Sequence, residues 1–462
     1  MRGWPRSLAA ALLLAPCACG GGRVTPPPAK TNVLLVILDD MSYRIGLYGY
    51  DTRTPSLERL ARRGRRFDHA YCQYPLCSPS RTSLLTGWSP EKTKVWGNLG
   101  SPRANLAGAT PLPEHFRANG YFTARLGKIY HSRFEREFSW DLAEDSPAAP
   151  EAGDEGPPLW QATDRADAEE PDGRLARKAA DLIERKKDVP FFIGVGFDKP
   201  HSPWMAPRPY FDLYPPERMS APSDPPRWDE MTRRIRAGAA IDVPPRRRNE
   251  ARAAYAAAAT FADAQVGVIL DALDRLDLWK KTVVVVVGDN GLHVGEHGLW
   301  GKTTLFEESA RVPLVLAAPG LARPGEPTSA IVELLDLYPT LVELASLPEV
   351  EGVEGTSLAP LLADPESAVK GAAFTIKKTG AARKEELARS VRTERYRFTA
   401  WPDGSTELYD HRNDPDERSD LSRDPAQAAT ARELRALLAE GRSARAAVGG
   451  PRPFAPGTGQ SQ

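Results

Sequence analysis

Two stretches of this chain are apolar without a break, and both run into acid. Residues 32–40 read NVLLVILDD, and the five valines at 283–287 lead into Gly288-Asp289-Asn290. A strand with no polar alternation must be buried on both faces, as a central strand of a helix-covered parallel sheet is. Valine suits that place because its branched side chain packs well on a pleated surface. Residues 191–197 (FFIGVGF) and 312–317 are further strands of this kind. Helical stretches lie between them. Thr54-Pro55-Ser56-Leu57 opens one, with Thr54 as N-cap and Pro55 in the first turn; 112–119 is a short one closed by Gly120, ahead of strand-like 121–126; 249–279 is long and rich in alanine. Alternating strands and helices predict an α/β fold with a doubly wound, mostly parallel sheet and helices on both faces.

After Pro360 the pattern changes. Short strands at 372–375, 388–393, 396–401 and 406–409 are punctuated by turn residues such as Pro402-Asp403-Gly404. A helix at 425–440 closes them, with Asp424 as N-cap and Gly441 at its exit. This predicts a small C-terminal α+β subdomain with an antiparallel sheet. The expected organisation is a main domain at 32–360, the subdomain at 361–450 and a disordered tail at 451–462. Residues 141–173 are acidic and rich in Pro and Gly, and read as a surface excursion; 221–248 are rich in Pro and Arg, and read as loop.

Arg2 and Arg6 precede an apolar run at 8–15 that is too short to cross a bilayer. Residues 1–22 therefore read as a secretory signal, and 23–31 as a flexible tether. Cys17 and Cys19 stand where a lipoprotein signal places its lipidated cysteine; a plain cleaved signal and a lipid anchor both stay open. The expectation is an exported protein, in the bacterial periplasm or on the outer membrane, with no other stretch fit to span a membrane. Four cysteines are too few for a disulfide-stapled fold. Lys+Arg and Asp+Glu are both 61, so no net field holds nucleic acid.

In open α/β sheets, ligands bind beyond the carboxyl ends of the strands. Asp39, Asp40, Asp289 and Asn290 converging there form an all-oxygen donor set, which suits Ca²⁺ or Mg²⁺ and not Zn²⁺. Taken one pair at a time, the same residues also serve as caps or turn formers. Cys77, in the segment YPLCSPSRTSLLTG, begins a helix that its serines could cap, and a thiol at a helix N-terminus has a lowered pKa. Cys72 reads as buried and inert.

The run Cys77-Ser78-Pro79-Ser80-Arg81, followed by T-S-L-L-T-G, resembles the signature of the sulfatase family of the alkaline-phosphatase-like superfamily. Further segments resemble the same family in the same order: Gly127-Lys128-Ile129-Tyr130-His131, Lys199-Pro200-His201, GDNGLHVGEHGLWGK at 288–302, and Glu407-Leu408-Tyr409-Asp410 with Asn413-Asp414-Pro415. The combination looks closest to the iduronate-2-sulfatase-like branch, although Asn290 stands where that branch often has His. The resemblance implies that Cys77 is oxidised by a formylglycine-generating or other sulfatase-maturing enzyme. It implies one Ca²⁺ on Asp39, Asp40, Asp289, Asn290 and the modified residue 77. Arg81 and Lys128 would hold the hydrated aldehyde and the sulfate, and Asp289 would be the base for attack. His201 and Lys302 would serve the leaving oxygen. His131 would take the proton whose loss expels sulfate, a step a serine ester lacks for want of a second hydroxyl.

The implied activity is hydrolysis of a sulfate ester, with a sulfated carbohydrate as the expected substrate. A phosphonate monoester or phosphodiester hydrolase of the same superfamily is the first alternative; a non-catalytic sulfated-glycan binding protein with an unmodified thiol is the second. Glu296 and His297 read as shaping their loop, and His69, His115, His293 and His411 carry no assignment. Trp300 reads equally as a sugar-stacking or a core residue. The arginines at 62, 63, 65 and 66 and at 246–248 read as solvated faces before they read as a polyanion site.

Overall fold

The structure is a computed structural model that describes residues 30–131, 134–146, 159–220, 222, 243–379 and 386–441. The expected signal, nearly all of the tether, the tail and most of 221–248 lie outside the described residues. Asn32–Asp39 (β1), Arg65–Tyr71 (β2), Phe122–Gly127 (β3), Leu142–Glu144 (β4), Phe191–Pro200 (β5), Thr282–Gly288 (β6), Arg311–Ala317 (β7) and Thr328–Glu333 (β8) form one sheet, in the order β8-β2-β7-β6-β1-β5-β3-β4. β1 lies parallel to β5 and β6, β3 to β5 and β4, and β8 to β2; β7 alone is reversed against both neighbours.

The unbroken apolar runs are explained by the two cores they feed. Val33, Leu35 and Ile37 point with Val283, Val285 and Val287 to one face, against Leu84, Phe116 and Leu341. Leu34, Val36 and Leu38 point with Val284 and Val286 to the other, against Leu175, Ile269 and Leu270. Successive side chains alternate faces, so no position of a strand covered on both sides is left for water. The helix Arg248–Arg275 packs on the second face, beside the helices Pro171–Lys186 and Pro55–Arg63. By length and composition, Pro245–Arg275 is apolar enough to cross a membrane, contrary to the expectation that no further stretch was; 89% of its apolar window is buried inside the protein. Alanine accounts for both facts: it is apolar, and it lets neighbouring helices approach closely.

Several local expectations are corrected. Thr54 stands at the N-cap position, but its Oγ1 accepts from the Leu47 amide at 2.9 Å. The first-turn amides of Ser56 and Leu57 donate instead to the Asp263 carboxylate, each at 2.8 Å. Arg65 is not solvated: it is wholly buried, and its guanidinium donates to the carbonyls of Ala322, Arg323 and Leu361 at 2.7, 3.1 and 3.1 Å. The acidic excursion is ordered at both ends, where β4 extends the sheet and Trp160–Thr163 pairs with Trp204–Pro207.

Ala372–Lys378 (β9), Leu387–Thr393 (β10), Tyr396–Ala400 (β11) and Thr406–Asp410 (β12) form the expected antiparallel sheet. Phe374, Val391, Phe398 and Leu408 meet Leu434 of the closing helix Ala428–Glu440 on one face. The other face meets the main sheet: Ala373 packs on Tyr71 and Ala310, and Thr375 Oγ1 donates to the Cys72 carbonyl at 2.8 Å.

Candidate active site

β1 and β6 are neighbours in register, with Leu38 opposite Gly288, so the acids that follow them meet. Asp289 Oδ1 accepts from the amides of Asp40 and Asn290 at 3.0 and 2.8 Å. Asp40 takes a left-handed backbone (φ 63°), and Tyr255 of the long helix braces it: the hydroxyl accepts from Ser42 N at 2.7 Å and donates to Asp40 O at 2.9 Å. Oxygens of Asp39, Asp40 and Asp289 lie within 4.8 Å of one another, and all three residues are buried.

The helix Cys77–Thr86 is buried along its whole length and starts at this cluster. Cys77 Sγ sits 3.3 Å from Asp39 Oδ1 and 3.9 Å from Asp40 Oδ1, and it accepts from Lys302 Nζ at 2.8 Å. The expected serine cap is replaced. Ser80 Oγ donates to the Asp289 carbonyl, and Asn98 from a distant loop accepts from the Ser78 amide at 3.0 Å. The expected low thiol pKa is also corrected: burial first, and then Asp39, push the Cys77 thiol up, against the opposing pull of Lys128 and Lys302. A helix terminus helps an anion only where burial does not remove more hydration than the dipole returns.

Arg81 Nε donates to Asp289 Oδ2 at 2.7 Å, and its Nη1 donates to the carbonyl of Lys128. Lys128 pairs with Asp39. Gly127 makes that placement: its φ is 73°, and a Cβ there would lie 2.3 Å from the Gly196 carbonyl of β5. Lys302 pairs with Asp40 as well as with the thiol. His201 lies at the rim, its Nε2 3.8 Å from Asp40 Oδ2 and its Nδ1 2.6 Å from the Ser202 carbonyl. That contact puts the proton on Nδ1 and turns Nε2 toward the cluster. His131 is half-buried, with its Nδ1 unpartnered among the described residues; burial, then Lys128 and Arg81, lower its pKa to about 4. The structure thus gathers Cys77, Arg81, Lys128, His131, His201 and Lys302 around Asp39, Asp40, Asp289 and Asn290.

Burial alone would raise the Asp39 carboxyl, yet Lys128, His201, Arg81 and Lys302 together hold it well below the usual range. Asp289 moves the other way: burial raises it and Arg81 opposes, while Asp39 and Asp40 add to the rise. Two carboxylates a few ångströms apart are thereby set to different basicities.

The donor set fits a hard divalent cation. Three carboxylates and one amide oxygen are the ligands Ca²⁺ prefers. Asn290 is wholly buried, its Nδ2 donates to Asp40 Oδ1 at 2.8 Å, and its Oδ1 has no hydrogen-bond partner among the described residues. An unmet buried acceptor costs about 1–3 kcal/mol, which a cation would recover.

Residues with no expected catalytic or metal-binding role hold this arrangement. Asn98 and Tyr255 do so as described. Arg44 donates to Glu308 at 2.6 Å and Asp416 at 2.9 Å, tying the chain after Asp40 to the chain after Lys302 and to the C-terminal subdomain. Glu296 accepts from the Val294 amide at 2.7 Å, and His297 stacks on Phe306 at 4.2 Å and pairs with Glu308 at 3.3 Å. His293 Nε2 meets Thr304 Oγ1 at 2.7 Å. His69, His115 and His411 bind Ser329 O, Pro348 O and Glu417. Trp300 is a core residue, buried 6.4 Å from Trp204, so it is closed to a sugar ring.

Comparison with known proteins agrees with this geometry. The Sulfatase family model matches residues 31–347, and the model for the C-terminal part of N-sulphoglucosamine sulphohydrolase matches 295–444. A sulfatase of Formosa agariphila is 30% identical over 426 residues, covering 84% of this chain and 82% of the relative. Iduronate 2-sulfatase of Mus musculus is 31% identical over 380 residues, 69% of each chain. Among solved structures, phosphonate monoester hydrolase of Agrobacterium radiobacter superposes with a TM-score of 0.78 at 21% identity, covering 90% of this chain and 96% of that one. A 2-O GAG sulfatase superposes with a TM-score of 0.71 at 24% identity, covering 90% and 92%. Those two likenesses show the shared fold. The family match and the sequence relatives go further: this chain belongs to the sulfatase family and is a sulfuric ester hydrolase.

Proposed function

We propose that the enzyme cleaves a sulfate ester of a carbohydrate, with formylglycine at position 77 and one Ca²⁺ held by Asp39, Asp40, Asp289 and Asn290. One observation carries this reading: Cys77 Sγ opens a buried helix within 4 Å of Asp39 and Asp40 and is touched by Lys302. Oxidised and hydrated, residue 77 would supply a nucleophilic hydroxyl plus a second one for release, and the cation would acidify the former and draw charge from the ester.

The chain's own side chains divide the remaining work. Asp289, the more basic of the paired acids, accepts the proton of the attacking hydroxyl. Arg81, Lys128 and Lys302 are fixed cations that hold the anionic oxygens; Arg81 is pinned by Asp289 and cannot swing away. Lys302 and His201 face the leaving oxygen from the rim, where an alcohol can depart. His131, uncharged at neutral pH, accepts the proton that releases sulfate. The same reading makes a sulfatase-maturing enzyme a partner, and the N-terminal basic and apolar run supports export as its setting.

The test is mass spectrometry of the tryptic peptide ending at Arg81, with parallel assays on aryl sulfate, phosphate and phosphonate esters. Cys77→Ala should abolish turnover while the fold and Ca²⁺ binding persist. Wild-type rates in that variant would refute the mechanism, and faster cleavage of the phosphorus esters would move the enzyme to the phosphonate hydrolase alternative.

A further inference from the structure

The face of the C-terminal sheet that meets the catalytic domain carries a charge, Lys377, that no described residue matches. Residues 373, 375 and 377 of β9 share that face, because side chains alternate along a strand. Ala373 packs on Tyr71 and Ala310, and Thr375 bonds the Cys72 carbonyl. The backbone follows the same track: Ile376 N donates to Gln73 O at 2.9 Å, and Lys378 N to the Tyr74 hydroxyl at 3.1 Å. Lys377 is therefore the next residue along a row that runs toward Cys77. Its cross-strand neighbour Ala388 packs with Leu305 and Trp401. Leu305 lies three residues beyond Lys302, and Thr303 N bonds Pro75 O at 3.1 Å. Lys377 is thus bracketed by the two segments that deliver Cys77 and Lys302.

Lys377 is 6% exposed, and no described residue pairs with it. Lysines are almost never buried without a partner. The elements packed around it bring Tyr74, Leu305, Ala388 and Trp401. The acid one row over, Glu407, accepts from the Trp401 indole at 2.8 Å. Burial alone lowers the Lys377 pKa, to about 8, with no described charge acting on it. The other buried lysines show the contrast: Lys128, Lys302 and Lys370 each face carboxylates.

We infer that the Lys377 ammonium binds a second anionic group of the substrate, a uronate carboxylate or a further sulfate on the sugar that carries the scissile ester. The inference rests on the proposed sulfatase reading of the Cys77 site. It makes the C-terminal subdomain a specificity element, with Lys377 reading the substrate's second charge.

The test compares kcat/KM for matched monosulfated glycosides, one bearing a carboxylate and one with that carboxylate reduced to the alcohol. A disulfated neutral sugar forms a third arm. Wild type should prefer an anionic partner, and K377M should cut that preference about tenfold, the loss of one charge-assisted contact. The arm on which the loss appears identifies carboxylate or sulfate as the group read. K377R, charged at all accessible pH, should keep the preference above pH 8, where deprotonation erodes it in wild type. K377M should also melt no lower than wild type, since it keeps the buried apolar stem and removes a charge that no described residue pairs with. An unchanged preference in folded K377M overturns the inference alone. A wild-type protein inactive on every sulfate ester overturns the reading of the catalytic site and the inference with it.

Discussion

Two buried charge clusters in this molecule look alike by composition and differ in what they leave undone. The first surrounds Cys77. The second joins the domains: Glu307, Glu417 and His411 place ligand-type atoms within 4.8 Å of one another, as Asp39, Asp40 and Asp289 do. In the second cluster all four carboxylate oxygens are taken. Glu307 accepts from the Tyr71 hydroxyl at 2.9 Å and from Arg397; Glu417 accepts from Arg397, from His411 at 2.8 Å and from the Glu307 amide at 2.8 Å. Both clusters leave guanidinium N–H groups unmet, Arg81 Nη2 in the first and Arg311 Nε and Arg392 Nε beside Glu307 in the second, but among the described residues the first also leaves Asn290 Oδ1 and His131 Nδ1 without a hydrogen-bond partner. A closed network locks a fold; an open one has capacity for a ligand. The comparison teaches that counting acids cannot separate the two clusters, whereas a spare buried acceptor, the feature a cation would use, can.

The largest effect should come from breaking the open cluster. Asp289→Asn keeps one oxygen for the two backbone amides but removes the charge that pins Arg81. We expect kcat/KM to fall by at least about a thousandfold. Bound Ca²⁺, measured by atomic emission after gel filtration, should fall with it, while the melting temperature of the metal-free protein changes less, since losing the Arg81 pair is offset by relief of repulsion from Asp39 and Asp40. Retained metal would mean that the cage is elsewhere. The mirror experiment is Arg397→Met in the closed cluster. Removing one partner of a buried ion pair costs about 3–5 kcal/mol, and the low end applies here because Arg392 and His411 remain on the two glutamates. Denaturant unfolding should show that loss with the rate per folded molecule unchanged. Lost activity and intact stability would reverse the assignment of the two clusters.

The open cluster was largely legible before the structure, and the closed one was not, since His411 carried no assignment and nothing singled out Glu307 or Glu417. The strands that deliver Asp39 and Asp289 announce themselves because burial on both faces permits no polar residue. Cys77, Lys128, His201 and Lys302 each sit in a short motif with its own spacing. What escaped is whatever depends on contacts between distant segments. Asn98 caps the Cys77 helix from 20 residues away, and nothing in its surroundings marks it. Tyr255 is one of two aromatics in an alanine-rich helix, and its hydroxyl holds Asp40 from 215 residues on. Arg65 looked solvated because three other arginines flank it; only tertiary packing turns its guanidinium onto four backbone carbonyls. The Cys77 thiol failed for a related reason: a helix terminus is visible in sequence, and the depth of its burial is not.

The metal itself sharpens the comparison further. A cation that binds only the folded state stabilises it by about 2.7 kcal/mol at a hundred times its Kd. Added CaCl₂ should therefore raise the melting temperature of wild type, and the rise should vanish in Asp289→Asn. It should survive in His411→Ala, whose partner Glu417 still pairs with Arg397. A calcium shift that disappears with His411 would make the domain clasp the metal site.

The smallest expected effect probes a pair that stands between the two clusters. His297 and Glu308 lie 3.3 Å apart on the segment that carries Lys302, and Arg44 bonds the same glutamate. Burial lowers the imidazole pKa, but Glu308 outweighs it and holds His297 above its ordinary value. A group raised on folding contributes stability that is complete below its unfolded pKa and is lost as pH climbs through the folded one. Wild type should therefore be more stable than His297→Gln at about pH 5.5, by about 1 kcal/mol, the scale of one charged contact. That margin should shrink steadily toward alkaline pH in urea titrations. A margin that grows with pH would mean that His297 is neutral in the fold and that Arg44 alone clamps Glu308 to the catalytic loop.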